Sequence, residues 1–436
     1  KSLIISAIGT FTDGYDLTAL GLVLPFVLSS FHIDSITSKE GIFWATWLNA
    51  LPIFGFFIGA PVFGLLSNKG RKRLYGFDVL LMSIGALMQV FSSSLYELAF
   101  YRFIMGIGLG GDYVMSPMIL SENATAKDRG RLLGIGFGGF WVLGSLVSSL
   151  VAILFKHLAN IHLISPDTYW RIVLGLGALP PVAVFYFRRR FPETPRFIAR
   201  IVGDEEEFKN VVFHISKSQI QQSISKETRG TFELLRAYWK YIILGALLWF
   251  LFDIPAYGQS FFISYISDII HFNNPPLLQA ISILFVFVGA IHFWYLQPRL
   301  GSKLMQAIGF LGMGLTFFVF AILVRLNLIN AIFGILLFSL AKYFSQIGPG
   351  SVVAVGAYGV ELVPTKIRGI SGAINTIGGR LGVLVSTFLL PKMLSSTAES
   401  AYYFMGAVSI LGAIITILFA KETANKGLEE ITGELE

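Results

Sequence analysis

Five ionisable residues stand where a water-avoiding chain should carry none. Asp16, Asp112, Asp253, Lys342 and Arg380 each fall near the middle of a long apolar stretch. A charge at the centre of a bilayer costs several kcal/mol, roughly 3 or more on insertion scales, so each one needs a partner or a task. Burial disfavours an ionised carboxylate, so an acid in a dry cavity can take up a proton on one side of a membrane and release it on the other. Asp16 and Asp253 are the leading proton-site candidates. Asp112 follows Gly110-Gly111, where the backbone can approach a neighbour closely. It reads equally as a functional acid and as part of a packing patch. Asp13, three residues before Asp16, reads as a cavity-wall or capping group. Lys342 and Arg380 point to an anion, because a cation in a dry cavity is paired by a protein acid or by the substrate. Arginine offers a two-pronged fork and lysine a point charge. Permanent pairing with the nearby acids is the alternative.

Neutral groups surround these charges. Trp249, Tyr257, Tyr113, Phe140 and Trp141 are candidate pocket walls, since aromatic rings bring contact area and, in Tyr and Trp, one polar handle. With 40 Phe in the chain, only the Tyr and Trp beside Asp253 rise above the background. Gln346, Pro349 and Gly350 interrupt one apolar stretch, and a broken helix at mid-depth frees backbone groups for a substrate. Asn375 is a weaker candidate of the same kind. The chain has 0 Cys and 6 scattered His, so no metal site and no cofactor are expected. The glycine run from Gly106 to Gly111 follows no strand, so it is no dinucleotide loop.

The elements that must position these residues follow from composition. The chain has 436 residues, 54% hydrophobic and 14% charged, with a mean hydropathy of +0.70. A soluble domain carries roughly 25% charged residues. That excludes a soluble enzyme, a disordered chain and a nucleic-acid partner. The net charge of +7 sits in short runs between apolar stretches, a topology signal rather than a groove-binding patch. Twelve stretches are long enough to span a bilayer: 3–28, 42–67, 74–93, 98–120, 131–155, 170–187, 241–267, 276–297, 303–324, 329–360, 370–392 and 400–420. No barrel-type alternation is present, so the fold expected is all-α and polytopic. Residues 3–28 are too long to be a cleaved signal.

The bases orient the chain. Lys69, Arg71, Lys72 and Arg73 lie between the second and third stretches, and Lys127, Arg129 and Arg131 follow the fourth. Arg299, Lys303, Lys366 and Arg368 fill later loops of the same side, while the other side has only Lys39, Lys156, Arg325 and Lys392. The basic side reads as cytoplasmic, with both termini inside and the chain in the cell membrane. Segment 188–240 holds 11 Lys and Arg balanced by acids such as Glu205, Glu206 and Glu207, and reads as short helices on the cytoplasmic face. The expected organisation is a six-helix bundle over 1–190, a linker over 191–240, a second bundle over 241–420 and a tail over 421–436.

The halves look duplicated. Glu122 precedes Arg129 by seven residues, and Glu361 precedes Arg368 by the same seven, at an offset of 239. Asp16 and Asp253 are offset by 237, and Pro192-Glu193-Thr194 is echoed by Lys421-Glu422-Thr423. Such echoes are what two parallel six-helix repeats leave. Arg71, Lys72, Glu122, Arg129, Glu361 and Arg368 therefore read as ion-pair latches of a cytoplasmic gate, with charge anchoring as the simpler reading of the bases.

These residues carry a family resemblance. Gly64 to Arg73 resembles the loop signature of the major facilitator superfamily, with Asn68 in place of the usual Asp and one residue fewer. PETPR at 192–196 and KETANKGLEE at 421–430 resemble sugar-porter signatures. The stretches at 14–21, 111–122, 249–258 and 347–350 resemble the phosphate–proton symporters. That resemblance implies functional roles for Asp16, Asp78, Asp112, Tyr113, Trp249, Asp253 and Tyr257. Phe140 stands where that family has a substrate-holding Gln, and Gly350 where it has Asn. The expected function is proton-coupled symport of a small polar metabolite by alternating access, with phosphate or a carboxylate ahead of a neutral sugar. A monomer is expected, with substrate, protons and lipid as its partners. A channel, a membrane enzyme and a non-transporting sensor are the other classes. Mid-depth charges flanked by apolar stretches argue against a channel, and no nucleophile constellation supports an enzyme.

Overall fold

The structure is a computed structural model that describes residues 2–33, 35–124, 129–190, 193–216 and 227–433, with backbone alone for residues 2–5, 72, 73, 131, 211–216 and 395. Lys127 and Pro192, and the side chains of Lys72 and Arg131, lie outside the described residues. Twelve helices account for the predicted spans. In the first half they are α1 Ser2–Ser30, α2 Lys39–Leu66, α3 Phe77–Gln89, α4 Leu95–Asn123, α5 Gly134–Asn160 and α6 Pro166–Arg189. In the second they are α7 Thr231–Phe261, α8 Pro275–Leu300, α9 Ser302–Arg325, α10 Ala331–Ile347, α11 Arg368–Ser396 and α12 Ala398–Phe419. Ten of the twelve are long and apolar enough to cross a bilayer, and α3 and α10 are shorter. The protein is an all-α, multi-pass membrane protein.

The two ends of the molecule start their helices differently. At the end away from the basic loops, α2, α4, α6, α8 and α10 begin with a side-chain cap from Ser38, Ser94, Ser165, Asn274 and Asn330. Each supplies an acceptor to an otherwise orphaned helix N–H. At the basic end two glutamates do this work. Glu193 accepts from the Arg71 backbone N–H at 3.1 Å, and Glu422 accepts from those of Ser302 and Lys303 at 2.9 and 3.1 Å. The sequence echo around Glu193 and Glu422 is thus a repeated structural device, a carboxylate on a helix start.

Packing repeats with the sequence. α1 packs on α5 as α7 packs on α11, α2 on α4 as α8 on α10, and α3 on α6 as α9 on α12. The halves meet along α2–α11 and α5–α8, two contacts that exchange under the same repeat. Large apolar side chains such as Phe91, Leu179, Ile332 and Leu418 point outward, as a lipid-facing belt requires.

Three boundaries differ from the sequence reading. α7 begins ten residues earlier than expected, because Glu233, Arg236 and Lys240 interrupt the hydropathy but not the helix. α6 runs to Arg189, so Arg188 belongs to a span and not to the soluble segment. The stretch 329–360 is one helix only as far as Ile347. Gly348-Pro349-Gly350 then breaks it, since Pro349 has no N–H to donate, and the chain turns through Gly356 at φ +71° before Ala357–Glu361.

Candidate functional site

A cavity lies between the halves, walled by α4 and α5 on one side and α7, α8, α10 and α11 on the other. At its centre the Arg380 guanidinium donates to the Asp253 carboxylate at 2.8 Å, and each is 1% exposed. Arg380 is enclosed by aromatic faces, with Tyr113, Phe56 and Tyr257 at 4.4, 4.6 and 4.9 Å from its carbon. The Tyr113 and Tyr257 hydroxyls are 3.4 Å apart, one from each half. Cation–π contact of this kind strengthens when water is excluded. Lys342 reaches the same cavity from α10 and donates to Ser260 Oγ at 3.1 Å. Gln346 lines it too, while donating to Ser351 Oγ at 3.0 Å.

A second charged cluster lies wholly inside the first half. Arg188 donates to Asp78 and to Asp112, both at 2.5 Å, and all three side chains are 0% exposed. Ser116 donates to Asp112 at 2.6 Å, and Tyr75 stacks on the guanidinium at 4.4 Å. Gly9 of α1 makes room, since a Cβ there would meet the Asp112 carboxylate at 2.7 Å. Asp13 is buried beside this cluster, its carboxyl next to that of Asp112. Asp16 does not line the central cavity. It points into the first half against Gly177 of α6, where any side chain would collide with its carboxylate. The field of Arg102 reaches it without forming an ion pair. Arg102 itself donates to Leu48 O at 2.7 Å and Gln89 at 3.3 Å.

The basic end is tied by buried ion pairs. Glu122 receives Arg71 at 2.9 Å, Arg368 at 3.2 Å and the Thr194 hydroxyl at 2.5 Å. Glu361 receives Arg129 at 2.9 Å, and Arg129 also donates to Lys426 O. Asn68 donates across the halves to Lys366 O at 2.7 Å. At the other end the halves touch through lighter contacts. Ser264 donates to Gly21 O at 3.1 Å, Tyr265 to Ile36 O at 2.6 Å, and Trp47 meets Phe388 edge-on at 5.8 Å.

Comparison with known proteins agrees with this architecture. The model of the sugar (and other) transporter family matches residues 2–435. The chain belongs to that family. It is 30% identical to inorganic phosphate transporter 1-11 of Oryza sativa subsp. japonica, over all of this chain and 87% of that protein. It is 27% identical to low affinity inorganic phosphate transporter 1 of Petunia hybrida, covering 100% of this chain and 92% of that one. The structure of the proton:xylose symporter XylE superposes with a TM-score of 0.82 at 19% identity, covering 100% of this chain and 98% of that one. The fold is therefore that of the major facilitator superfamily.

Within this transporter fold the expected residues separate into groups. Tyr113, Trp249, Asp253, Tyr257, Lys342, Gln346 and Arg380 meet in the cavity. Asp78 and Asp112 share Arg188 instead. Phe140 does not line the cavity, and its neighbour Trp141 does. Asn375 lies outside it as well, donating to Ile242 O and Ser371 O and so tying α11 to α7. Sequence reading missed Arg188 and the neutral polar cavity residues Ser145, Ser260, Gln279 and Ser345. Arg188 carried a usable signal, because Pro181, Val184 and Arg188 share one buried face of α6.

Proposed function

We propose that this transporter imports a small anion, phosphate or a carboxylate, together with protons, by alternating access across the cell membrane. The observation that carries the reading is the Asp253–Arg380 pair at 2.8 Å inside the cavity between the halves. Protonation of Asp253 removes the partner of Arg380 and leaves its fork for an incoming oxyanion. Proton and anion are then coupled on one guanidinium. The loaded site is closer to neutral than a site carrying only one of the two, so it passes through a closed intermediate at lower cost. The phosphate transporters among the relatives support an anion.

The first half supports proton coupling. Asp13, Asp16, Asp78 and Asp112 are buried with Arg102 and Arg188, four acids against two bases. Such an excess is relieved by bound protons. The bundles 1–190 and 241–420 are the moving bodies, with 191–240 as their tether. The basic end is cytoplasmic, so both termini are inside. Glu122, Glu361 and their arginines form the cytoplasmic gate. One chain supplies both walls of the cavity, so the monomer is the working unit.

A neutral sugar is the second reading, favoured by Gln259, Gln279 and Gln346 at the cavity wall. Reconstituted protein should accumulate phosphate or a small carboxylate when the vesicle lumen is the more alkaline side. Accumulation of hexose with every anion excluded would overturn the anion reading. Absence of both uptake and counterflow would leave the sensor.

A further inference from the structure

Lys342 takes no part in the Asp253–Arg380 pair. It is 8% exposed, and Ser260 Oγ at 3.1 Å is its hydrogen-bond partner. Among the described residues no carboxylate lies within ion-pairing distance of it. The Phe338 ring covers one side at 5.2 Å. An ammonium has three donors, and one is engaged here. Arg380 is neutralised by Asp253, so the charge left without a counterpart among the described lining residues is positive and sits on Lys342. An unpaired buried ammonium is costly, and the cost is relieved either by loss of its proton or by an anion that joins it.

The cavity has a second pole because of where the partners stand on α7. Asp253 anchors Arg380 and Ser260 anchors Lys342. Seven residues separate those anchors, which places them on one face about 10 Å apart along the axis. A compact oxyanion seated on Arg380 would leave Lys342 uncompensated.

The unpartnered atoms describe what lies between the poles. Trp141 Nε1, Gln259 Nε2 and Arg380 Nε are buried donors without acceptors, and Gln279 Oε1 is a buried acceptor without a donor. All four residues line the cavity. Buried polar groups are normally satisfied, so the missing partner is rich in acceptors and brings at least one hydroxyl. A neutral sugar, whose every hydroxyl both donates and accepts, fits this surplus of donors poorly.

We infer that Lys342 is the docking point for the anionic head of an elongated, hydroxylated organic anion, a polyol or hydroxy acid bearing a carboxylate or a phosphate monoester, whose body extends toward Arg380. This rests on the anion reading above but moves the charged head to Lys342, leaving the Arg380 fork, freed when Asp253 takes a proton, to the oxygen acceptors of the substrate's body.

The test is ligand binding to the purified full chain in lipid nanodiscs. Glycerol 3-phosphate and gluconate represent the two head groups, with inorganic phosphate and glucose as comparisons. At least one organic anion should bind roughly tenfold or more tighter than inorganic phosphate, and K342M should remove that advantage. K342R should retain binding, since it restores the charge. K342M also removes a buried unpaired charge, so the unliganded variant should melt no lower than the parent. Equal or tighter binding of inorganic phosphate, or undiminished organic-anion binding by K342M, overturns the inference and leaves anion transport standing. Binding of glucose alone overturns both.

Discussion

Arg129 of the first half holds Glu361 of the second at 2.9 Å. Its counterpart Arg368 reaches back to Glu122 at 3.2 Å. Each glutamate precedes an arginine by seven residues in its own half, yet bonds the arginine of the other half. The repeat therefore makes crossed links, and they are buried. Removing one partner of a buried pair leaves an uncompensated charge, at a cost of about 3–5 kcal/mol. R129A and E361A should each lower the melting temperature and favour the state open at the basic end. The chain has 0 Cys, so a cysteine at Ala354 in the cavity wall can be labelled without background. Labelling by an impermeant maleimide from the basic end should speed up in both variants. The double variant should fall short of the sum of the two, by roughly 1 kcal/mol or more. Unchanged labelling would mean that these pairs do not hold the gate.

The Asp253–Arg380 pair separates chemistry from stability. D253N keeps an acceptor for Arg380 but cannot carry a proton. Exchange of substrate across vesicles should survive, while accumulation driven by an alkaline lumen should stop. D253A removes the acceptor as well and strands the guanidinium, so its melting temperature should drop further than that of D253N. Gradient-driven accumulation by D253N would show that the coupled proton is carried elsewhere.

Arg188 bridges Asp78 and Asp112 at 2.5 Å each, with all three fully buried. R188M leaves two acids without their cation, and it should give the lowest folded yield of the variants described. Neutralising the acids in R188M/D78N/D112N should return a monodisperse product, because a buried ionic cluster is replaceable by neutral groups at similar volume. Size-exclusion profiles after detergent extraction make the comparison. Wild-type yield from R188M would show that the cluster contributes little to folding.

The features that sequence made legible are the ones the bilayer penalises. Twelve apolar runs had to be helices, because hydrocarbon offers no partners to a backbone. Asp253, Lys342 and Arg380 stood out because charge in such a run is expensive, and they share the cavity. Ser145, Ser260, Gln279 and Ser345 cost little inside a helix, so nothing marked them in advance. Rotation was equally hidden. Phe140 and Trp141 differ by one position, about 100° on a helix, and only Trp141 faces the cavity. Asp16 and Asp253 are offset by 237 where the latch glutamates are offset by 239, and they face differently: Gly177 lets α6 close over Asp16, while Arg380 holds Asp253 in the cavity. The Glu122 and Glu361 spacing was visible, but the exchange of partners required both halves in space.

The tail adds a latch outside the membrane with a predictable pH response. Arg196, just beyond α6, pairs at 2.9 Å with Glu429 in the short helix Leu428–Thr432. Partial burial alone would favour the neutral Glu429, but the Arg196 charge and its hydrogen bond outweigh it, holding the carboxyl below its ordinary 4.5. A carboxylate depressed in the folded state contributes stability above its unfolded value and loses it as pH falls through the folded one. The contribution is therefore complete at neutral pH and fades as pH drops below 4.5. The pair is partly exposed, so solvent limits the effect to about 1 kcal/mol or less. E429Q should melt slightly below the parent at pH 7, and the gap should narrow on acidification. R196Q should behave alike, and combining the two should add nothing. A gap that widens on acidification, or additive losses in the double variant, would show that Arg196 does not set the ionisation of Glu429.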